Sequence, residues 1–355
     1  MSYIRIQDAG FRGGWPRLFF DTRKMWRYAA SCILIPASCI LLAACSKEPP
    51  TYQEQGYVFG TLVEVSIYGE DEARAKQGVA AVMQEFQRLH DQLHAWKPSE
   101  LSALNAALAQ GKPHTVTPEL AVMLQDAAQL SAQSDGLFNP AIGGLVQLWG
   151  FHADEFKAAM PDEKRLARLV AAQPQMAGLV FATAANPSPS LPLTGEGAAA
   201  SAPPLTRGGR EGFVVSSRNR SIQLDLGGYA KGYALDRAIA LLKQHGIHNA
   251  LVNIGGNVMA LGAHGSRPWR VGIQHPRKPG PLATLELHDG EAIGTSGDYQ
   301  RYFELDGKRY CHLIDPRTGY PVQGVQAVTV LTHGTRAGVL SDAASKPLFI
   351  AGPDG

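Results

Sequence analysis

Between Asp225 and Asp236 the chain reads Asp-Leu-Gly-Gly-Tyr-Ala-Lys-Gly-Tyr-Ala-Leu-Asp, and this run has the residue types that hold a phosphate. Glycine lets a ligand come close to the backbone, and the N–H groups at a helix start attract anions. Lys231 adds a mobile positive charge. The same run also fits a tight strand-to-helix turn with a surface lysine. A short glycine motif does not decide between the two.

Three elements must position this run. Residues 221–226 alternate apolar and polar, as a half-buried strand does. Gly227 and Gly228 break that pattern. From Ala230 the apolar residues fall at helical spacing, through Tyr233, Ala234, Ala238, Leu241 and Leu242.

The 355 residues allow one large domain or two ordinary ones. The net charge of +2 argues against a nucleic-acid partner, which needs a basic stripe. Arg23, Lys24 and Arg27 precede an apolar run over residues 28–44, the pattern of a signal peptide. Met25 is then the alternative start. The run ends Leu42-Ala43-Ala44-Cys45, which resembles the lipobox of bacterial lipoproteins, and it is short for a membrane span. Residues 1–45 are therefore expected to be a lipoprotein signal with Cys45 as the lipidated residue. Residues 46–56 are expected to be a polar tether. The expected location is the periplasmic side of a membrane, the outer membrane ahead of the inner. Cys311 is then the one cysteine left in the mature body, so no internal disulfide is expected.

Residues 57–68 read as a strand and 71–93 as a helix. Thr117 begins another helix as its N-cap, and Pro161 precedes a third over 162–173. Residues 185–212 are rich in Pro, Gly, Ser and Ala, a composition that buries no core, and disorder is expected there. They separate two strand-like runs, 178–183 and 213–217. An insertion at a hairpin tip or a linker between domains would each explain this, and the pairing habit of neighbouring strands favours the insertion. After the glycine motif come short strands over 250–254, 269–273, 283–287, 292–295 and 325–331. Asp306-Gly307 joins two more as a hairpin. A final helix runs over 335–350. Strands joined by hairpins, without a βαβ period, give an α+β fold with mostly antiparallel sheets and packed helices.

Seven motifs in order resemble one family: Phe59-Gly60-Thr61, His94-Ala95-Trp96, Phe138-Asn139-Pro140 with Trp149-Gly150-Phe151, the Asp225 to Asp236 run, Asn253-Ile254-Gly255-Gly256, Thr295-Ser296-Gly297-Asp298-Tyr299, and His312-Leu313-Ile314-Asp315-Pro316. The chain resembles the FAD:protein FMN transferases, the ApbE-type flavin transferases, from about residue 57 to residue 352. The resemblance implies an ApbE-like α+β fold over 57–355. It also implies a reaction that splits FAD at its pyrophosphate, places FMN on a threonine hydroxyl of a partner protein, and releases AMP. Family acceptors are usually subunits of membrane redox complexes. Family members use Mg²⁺, and the matching ligands here are the Gly228 carbonyl and Asp342. Lys231 matches an FAD contact. Leu137, Phe138 and Asn139 match a backbone stretch along the flavin. Trp96 and Phe59 stand where the family usually has tyrosine and methionine, and Ile314 lies in the last motif. Phe138 and Trp149 have a plainer reading as core.

One departure bears on the metal. The family usually has threonine four residues after the aspartate, and here that position is Lys346. An ammonium has no lone pair to give a cation. Either Ser345 substitutes as a ligand, or Lys346 supplies positive charge itself. For the threonine proton the resemblance nominates His312 or Asp315, and histidine suits proton transfer near neutral pH. The competing role for His312 is a plain hydrogen bond to FAD or to the sheet. The chain ends at Gly355, ahead of the family's usual C-terminal strand, which a truncated C-terminus would explain. Two other functions fit the same residues: a flavin-binding lipoprotein without transfer, and an FAD pyrophosphatase.

Overall fold

Phe59 and Gly60 both take positive φ, 56° and 69°, which the primed hairpin turns require. The structure, a computed structural model, describes residues 49–153, 155–183 and 212–353. The turn splits the single strand expected over 57–68 into two. β1 (Thr51–Val58) pairs antiparallel with β2 (Thr61–Tyr68), Val58 opposite Thr61. Most of the expected tether is thus an edge strand. It was not legible because its residues are polar and mostly exposed, as edge strands are. The signal segment, Cys45 and the stretch expected to be disordered lie outside the described residues, apart from Gly212.

The chain continues through α1 (Glu72–Leu93), α2 (Glu100–Ala109), β3 (His114–Val116), α3 (Pro118–Gln133), α4 (Gly143–Leu148) and α5 (Glu163–Ala171). Their starts follow local chemistry. The side chains of Asp71, Ser99, Thr117 and Asp162 each accept the N–H three residues on. β4 (Leu179–Thr183) and β5 (Phe213–Ser217) pair antiparallel, Thr183 opposite Phe213, and β3 adds to the other edge of β5. The residues between β4 and β5 therefore leave from and return to one hairpin end.

Next come α6 (Ala230–Gln244), β6 (Ala250–Ile254), β7 (Asn257–Leu261), β8 (Trp269–Gln274), β9 (Pro281–Leu287), β10 (Glu291–Gly297), β11 (Tyr302–Leu305), β12 (Lys308–Cys311), β13 (Ala327–His333) and α7 (Ala337–Ala351). The main sheet has the order β1-β2-β6-β7-β10-β13, every pair antiparallel. The expected α+β class with antiparallel sheets is what the fold is. β7 has no counterpart among the expected strands. It lies inside the sheet, buried along its whole length, so it has no polar alternation to read.

Residues 221–226 are not a strand, although the alternation is real: Ile222, Leu224 and Leu226 are buried. The one ladder contact is a parallel bridge between Gln223 and Ile142. The buried side chain of Asn105 takes the place of a neighbouring strand. Its Oδ1 accepts from Leu224 N at 2.7 Å and its Nδ2 donates to Leu224 O at 2.9 Å. Asp225 N donates to Pro140 O at 2.8 Å. The glycine motif is thereby bound to the segment carrying Leu137, Phe138 and Asn139.

The main core lies between the six-stranded sheet and α1, α6 and α7. A second cluster, with Leu145, Trp149, Phe151, Leu166, Phe303 and Ile314, ties α4 and α5 to the β11–β12 hairpin. Trp149 donates its indole N–H to Gly319 O at 2.8 Å, so the plainer reading of Trp149 as core is its place in the structure.

Candidate functional site

A cleft of about 1020 Å³ opens among these elements. Phe59, Trp96, Leu137, Phe138, Asn139 and Ile314 line it. So do Gly228, Lys231 and His312. The ring-bearing wall is built from three places in the chain. Phe59, at the β1–β2 turn, packs on Phe86 and His90 of α1, with centroids 6.0 and 5.9 Å away. A positive φ at a bulky residue is strained, and strain of this kind collects at functional sites. Trp96 lies 5.5 Å from the ring of His152. Phe138 is buried yet still borders the cleft. The amide of Asn139 is occupied by the fold, donating to Pro174 O at 2.9 Å and accepting from Ala141 N at 3.1 Å. What Asn139 offers the cleft is therefore backbone.

The polar end forms where α6 meets α7. Lys231 donates to Gly227 O at 3.0 Å and lies 3.8 Å from Asp342 Oδ1. Asp342 has no solvent exposure. Its Oδ2 accepts from Gly232 N at 3.0 Å, and its Oδ1 accepts from the Lys346 ammonium. Burial works against the Asp342 carboxylate, yet Lys231 and Lys346 outweigh it and hold the group below its usual value. Burial pushes the Lys346 ammonium down to about 8, while Asp342 pulls the other way. The anion expected at the start of α6 is thus supplied from within, by Asp342.

Glycines set this approach. A Cβ on Gly232 would lie 2.3 Å from Gly338 O and 2.8 Å from Asp342 Cβ, and a Cβ on Gly294 would lie 2.4 Å from Ser341 O. Backbone of α7 therefore touches both α6 and β10 with no side chain between. Asp236 completes the junction from α6, accepting Gly338 N at 2.8 Å and Val339 N at 2.9 Å at the start of α7.

These contacts test whether Mg²⁺ fits the residues the resemblance nominates, Gly228, Asp342 and Ser345. They do not fit it. Both carboxylate oxygens of Asp342 accept from N–H donors. The Ser345 hydroxyl is turned to Ser296 Oγ at 2.8 Å and to Asp342 O at 2.7 Å, so it does not replace the family threonine. A Cβ on Gly228 would meet Lys346 Cε at 3.0 Å, which places the lysine stem across the glycine. Mg²⁺ demands several oxygen ligands in near-octahedral array, and here an ammonium sits among the three nominated residues.

His312 lines the cleft and Asp315 is not among the lining residues. Nδ1 of His312 lies 3.2 Å from Arg301 O. A carbonyl only accepts, so Nδ1 carries the proton and Nε2 is the acceptor. Burial, joined by the Arg301 charge, pushes the imidazole down to about 3, and the ring is neutral near pH 7. The Asp315 carboxylate is held by Arg317, whose Nη2 lies 2.8 Å away and whose backbone N lies 2.9 Å away. The nomination of Asp315 as a base is thus not supported by its position: it closes its own turn. The structure adds Asp225 to the cleft. Burial raises its carboxyl against the N–H of Gly227 at 2.8 Å, so it holds a proton more readily than an ordinary aspartate. Its place at the head of the glycine motif was a usable signal. Nothing in the sequence marked His90 or His152, which also line the cleft.

Comparison with known proteins agrees with this geometry. The model of the ApbE family matches residues 59–355. An FAD:protein FMN transferase of Rhodobacter capsulatus is 43% identical over 305 residues, which cover 86% of this chain and 52% of that protein. The chain thus spans about half the length of that relative. A second protein of that name, from Klebsiella pneumoniae, is 31% identical over 89% of this chain and 85% of its own. The crystal structure of the ApbE protein of Thermotoga maritima matches with a TM-score of 0.72 and 27% identity, covering 86% of this chain and 88% of that one. The flavin transferase ApbE of Vibrio cholerae matches with a TM-score of 0.67 and 26% identity, covering 86% and 88%. The family match over residues 59–355 shows that this chain belongs to the ApbE family.

Proposed function

We propose that this chain transfers FMN from FAD to a hydroxyl of a partner protein, a threonine by the family's habit. The observation that carries the reading is one cleft with an aromatic wall at Phe59, Trp96 and Phe138 and ammonium groups of Lys231 and Lys346 at its polar end. An isoalloxazine ring suits the first and a pyrophosphate the second. The acceptor oxygen forms a bond to the FMN phosphorus. The bond from that phosphorus to the bridging oxygen breaks, AMP leaves with the electron pair, and the hydroxyl proton passes to a base. Such a reaction is chiefly positioning and charge neutralisation. Lys231 lies beside the start of α6, where it can neutralise pyrophosphate charge. Asp225, whose carboxyl burial raises, is the cleft group suited to take the proton, while His312, pushed down to about 3, is left to accept a hydrogen bond through Nε2. No step is assigned to Mg²⁺, since the donors around Asp342 do not suit it.

The acceptor is proposed to be a subunit of a membrane redox complex. Lipid on Cys45 would hold the enzyme at the periplasmic face beside such a subunit, with outer-membrane sorting ahead of inner because Ser46 follows the cysteine. Labelling with a palmitate analogue is expected in the wild type and not in Cys45→Ala. Labelling of the variant would remove the anchor from the proposal.

The direct test incubates the full chain with FAD and an acceptor domain and looks for flavin fluorescence that stays with the acceptor in a denaturing gel. Covalent flavin is the expected result. Free FMN and AMP without labelled acceptor would make the chain a pyrophosphatase. Binding of FAD with neither product would make it a flavin-binding protein.

A further inference from the structure

We infer that Lys346 is the resident cation of this site: its ammonium stands where the family resemblance places Mg²⁺, and it meets the FAD pyrophosphate directly. The pyrophosphate half of this inference rests on the function proposed above. The cation half rests on geometry alone.

Lys346 follows Asp342 by one helical turn, so both side chains leave the same face of α7. The lysine stem crosses Gly228, where a Cβ would lie 3.0 Å from Lys346 Cε. Its ammonium then donates to Asp342 O at 2.8 Å and to Asp342 Oδ1. One tethered cation thus touches the carboxylate and overlies the glycine that the resemblance assigns to the metal.

The donor count points the same way. A metal needs lone pairs, and the groups around the carboxylate are the N–H of Gly232 and the ammonium groups of Lys346 and Lys231. All of these are donors. The third nominated ligand, Ser345, is spent on Ser296.

Charge closes the argument. A fully buried carboxylate needs a partner, and Lys346 provides one from the same helix. With Lys231 the cluster holds one negative and two positive charges, a net +1 without any ion. Adding Mg²⁺ would bring the cluster to +3 in a buried place. The surplus positive charge already present faces the cleft, since Lys231 and Lys346 both line it. An ammonium carries three N–H donors. Lys346 uses two on Asp342, which leaves one for a phosphate oxygen.

The test uses the full chain and Mn²⁺ alone, followed by electron paramagnetic resonance. The wild type is expected to hold no Mn²⁺ that depends on Asp342. Lys346→Thr, which returns the family's residue, is expected to gain one Mn²⁺ site at least about tenfold tighter, lost again in Lys346→Thr combined with Asp342→Asn. In parallel, FAD and riboflavin binding are followed by flavin fluorescence. EDTA should leave wild-type FAD binding unchanged. Lys346→Met should weaken FAD about tenfold and leave riboflavin unaffected, because one charge-assisted hydrogen bond is lost. A wild-type Mn²⁺ site removed by Asp342→Asn, or a tenfold loss of FAD affinity with EDTA, would overturn the inference without depending on any Lys346 variant. Failure of Lys346→Thr to gain Mn²⁺ would also overturn it. If the wild type binds neither Mn²⁺ nor FAD while Lys346→Thr gains Mn²⁺, the cation assignment stands and the FAD reading falls.

Discussion

Gly232→Ala isolates the contact that holds Asp342 in place. The added methyl carbon would lie 2.3 Å from Gly338 O and 2.7 Å from Gly338 C. Non-bonded atoms of this kind prefer about 3.5 Å, so α6 and α7 must part by roughly 1 Å. The hydrogen bond from Gly232 N to Asp342 Oδ2 is 3.0 Å, and the same displacement takes it to roughly 4 Å, beyond bonding range. Two terms oppose each other. Alanine is favoured over glycine within a helix by about 1 kcal/mol. Overpacking against rigid backbone costs about 1–3 kcal/mol, and the lost bond to a buried carboxylate about 1.5–3 kcal/mol. The net expectation is a loss of about 1.5–5 kcal/mol, most of it in the α6–α7 junction. Urea unfolding followed by circular dichroism gives the stability, and flavin fluorescence gives the FAD affinity of the same samples. Both should fall. A variant as stable as the wild type, or more stable, would show that helix propensity governs this position and that the glycine contact does not position Asp342.

Three further outcomes follow from separate features. Asn105→Ala removes both partners of the buried Leu224 amide and carbonyl and should cost about 2–4 kcal/mol in urea unfolding; an unchanged midpoint would mean that residues 221–226 are held by their apolar side chains and their bonds to residues 140–143. His312 is held at about 3 in the fold against an ordinary 6.5, so the unfolded chain binds the extra proton and stability is lost as pH falls from about 6.5 towards 3. His312→Asn can keep the donor to Arg301 O, so the variant should lose less stability over that window than the wild type, and equal acid sensitivity would refute the assignment. Removing residues 186–210 should leave the melting temperature and FAD affinity close to the wild type, because β4 and β5 stay paired up to Thr183 and Phe213; a fall of ten degrees or more, roughly 2 kcal/mol or above, would show that the segment packs on the body.

The parts of the fold that the sequence made legible are those in which local chemistry and tertiary role agree. Asp71, Thr117 and Asp162 are good caps placed before amphipathic runs, and each begins a helix. Asp306-Gly307 turns a hairpin with both residues at positive φ. The failures share a cause in long-range context. β1 is polar because it is an edge, and β7 is wholly apolar because it is interior, so neither shows the alternation of a half-buried strand. Residues 221–226 do show it and still form no strand, because on one side their backbone meets residues 140–143 in a single bridge and on the other the partner of Leu224 is a side chain 119 residues away in sequence. Phe59-Gly60 does not announce its turn in sequence, because phenylalanine is a poor signal for a turn that needs positive φ.

The site follows the same rule at a finer scale. Residue types were enough to gather Phe59, Trp96, Phe138, Lys231 and His312 into one cleft, because a motif carries its residues as a group. Roles that depend on which atom faces which were not readable. Asp315 and Asp225 look alike in sequence, yet Arg317 engages the first while the second borders the cleft. Lys346 is the sharpest case. The letter in the sequence showed only that a metal ligand was missing. Its meaning depends on Gly228 leaving room for the lysine stem and on Gly232 and Gly338 letting α7 come close enough for Asp342 to reach the N-terminus of α6. Three glycines and one lysine thus act as a unit. A side chain at Gly228 would press on the lysine stem, and one at Gly232 or Gly338 would push α6 from α7 and take Asp342 off the α6 N-terminus.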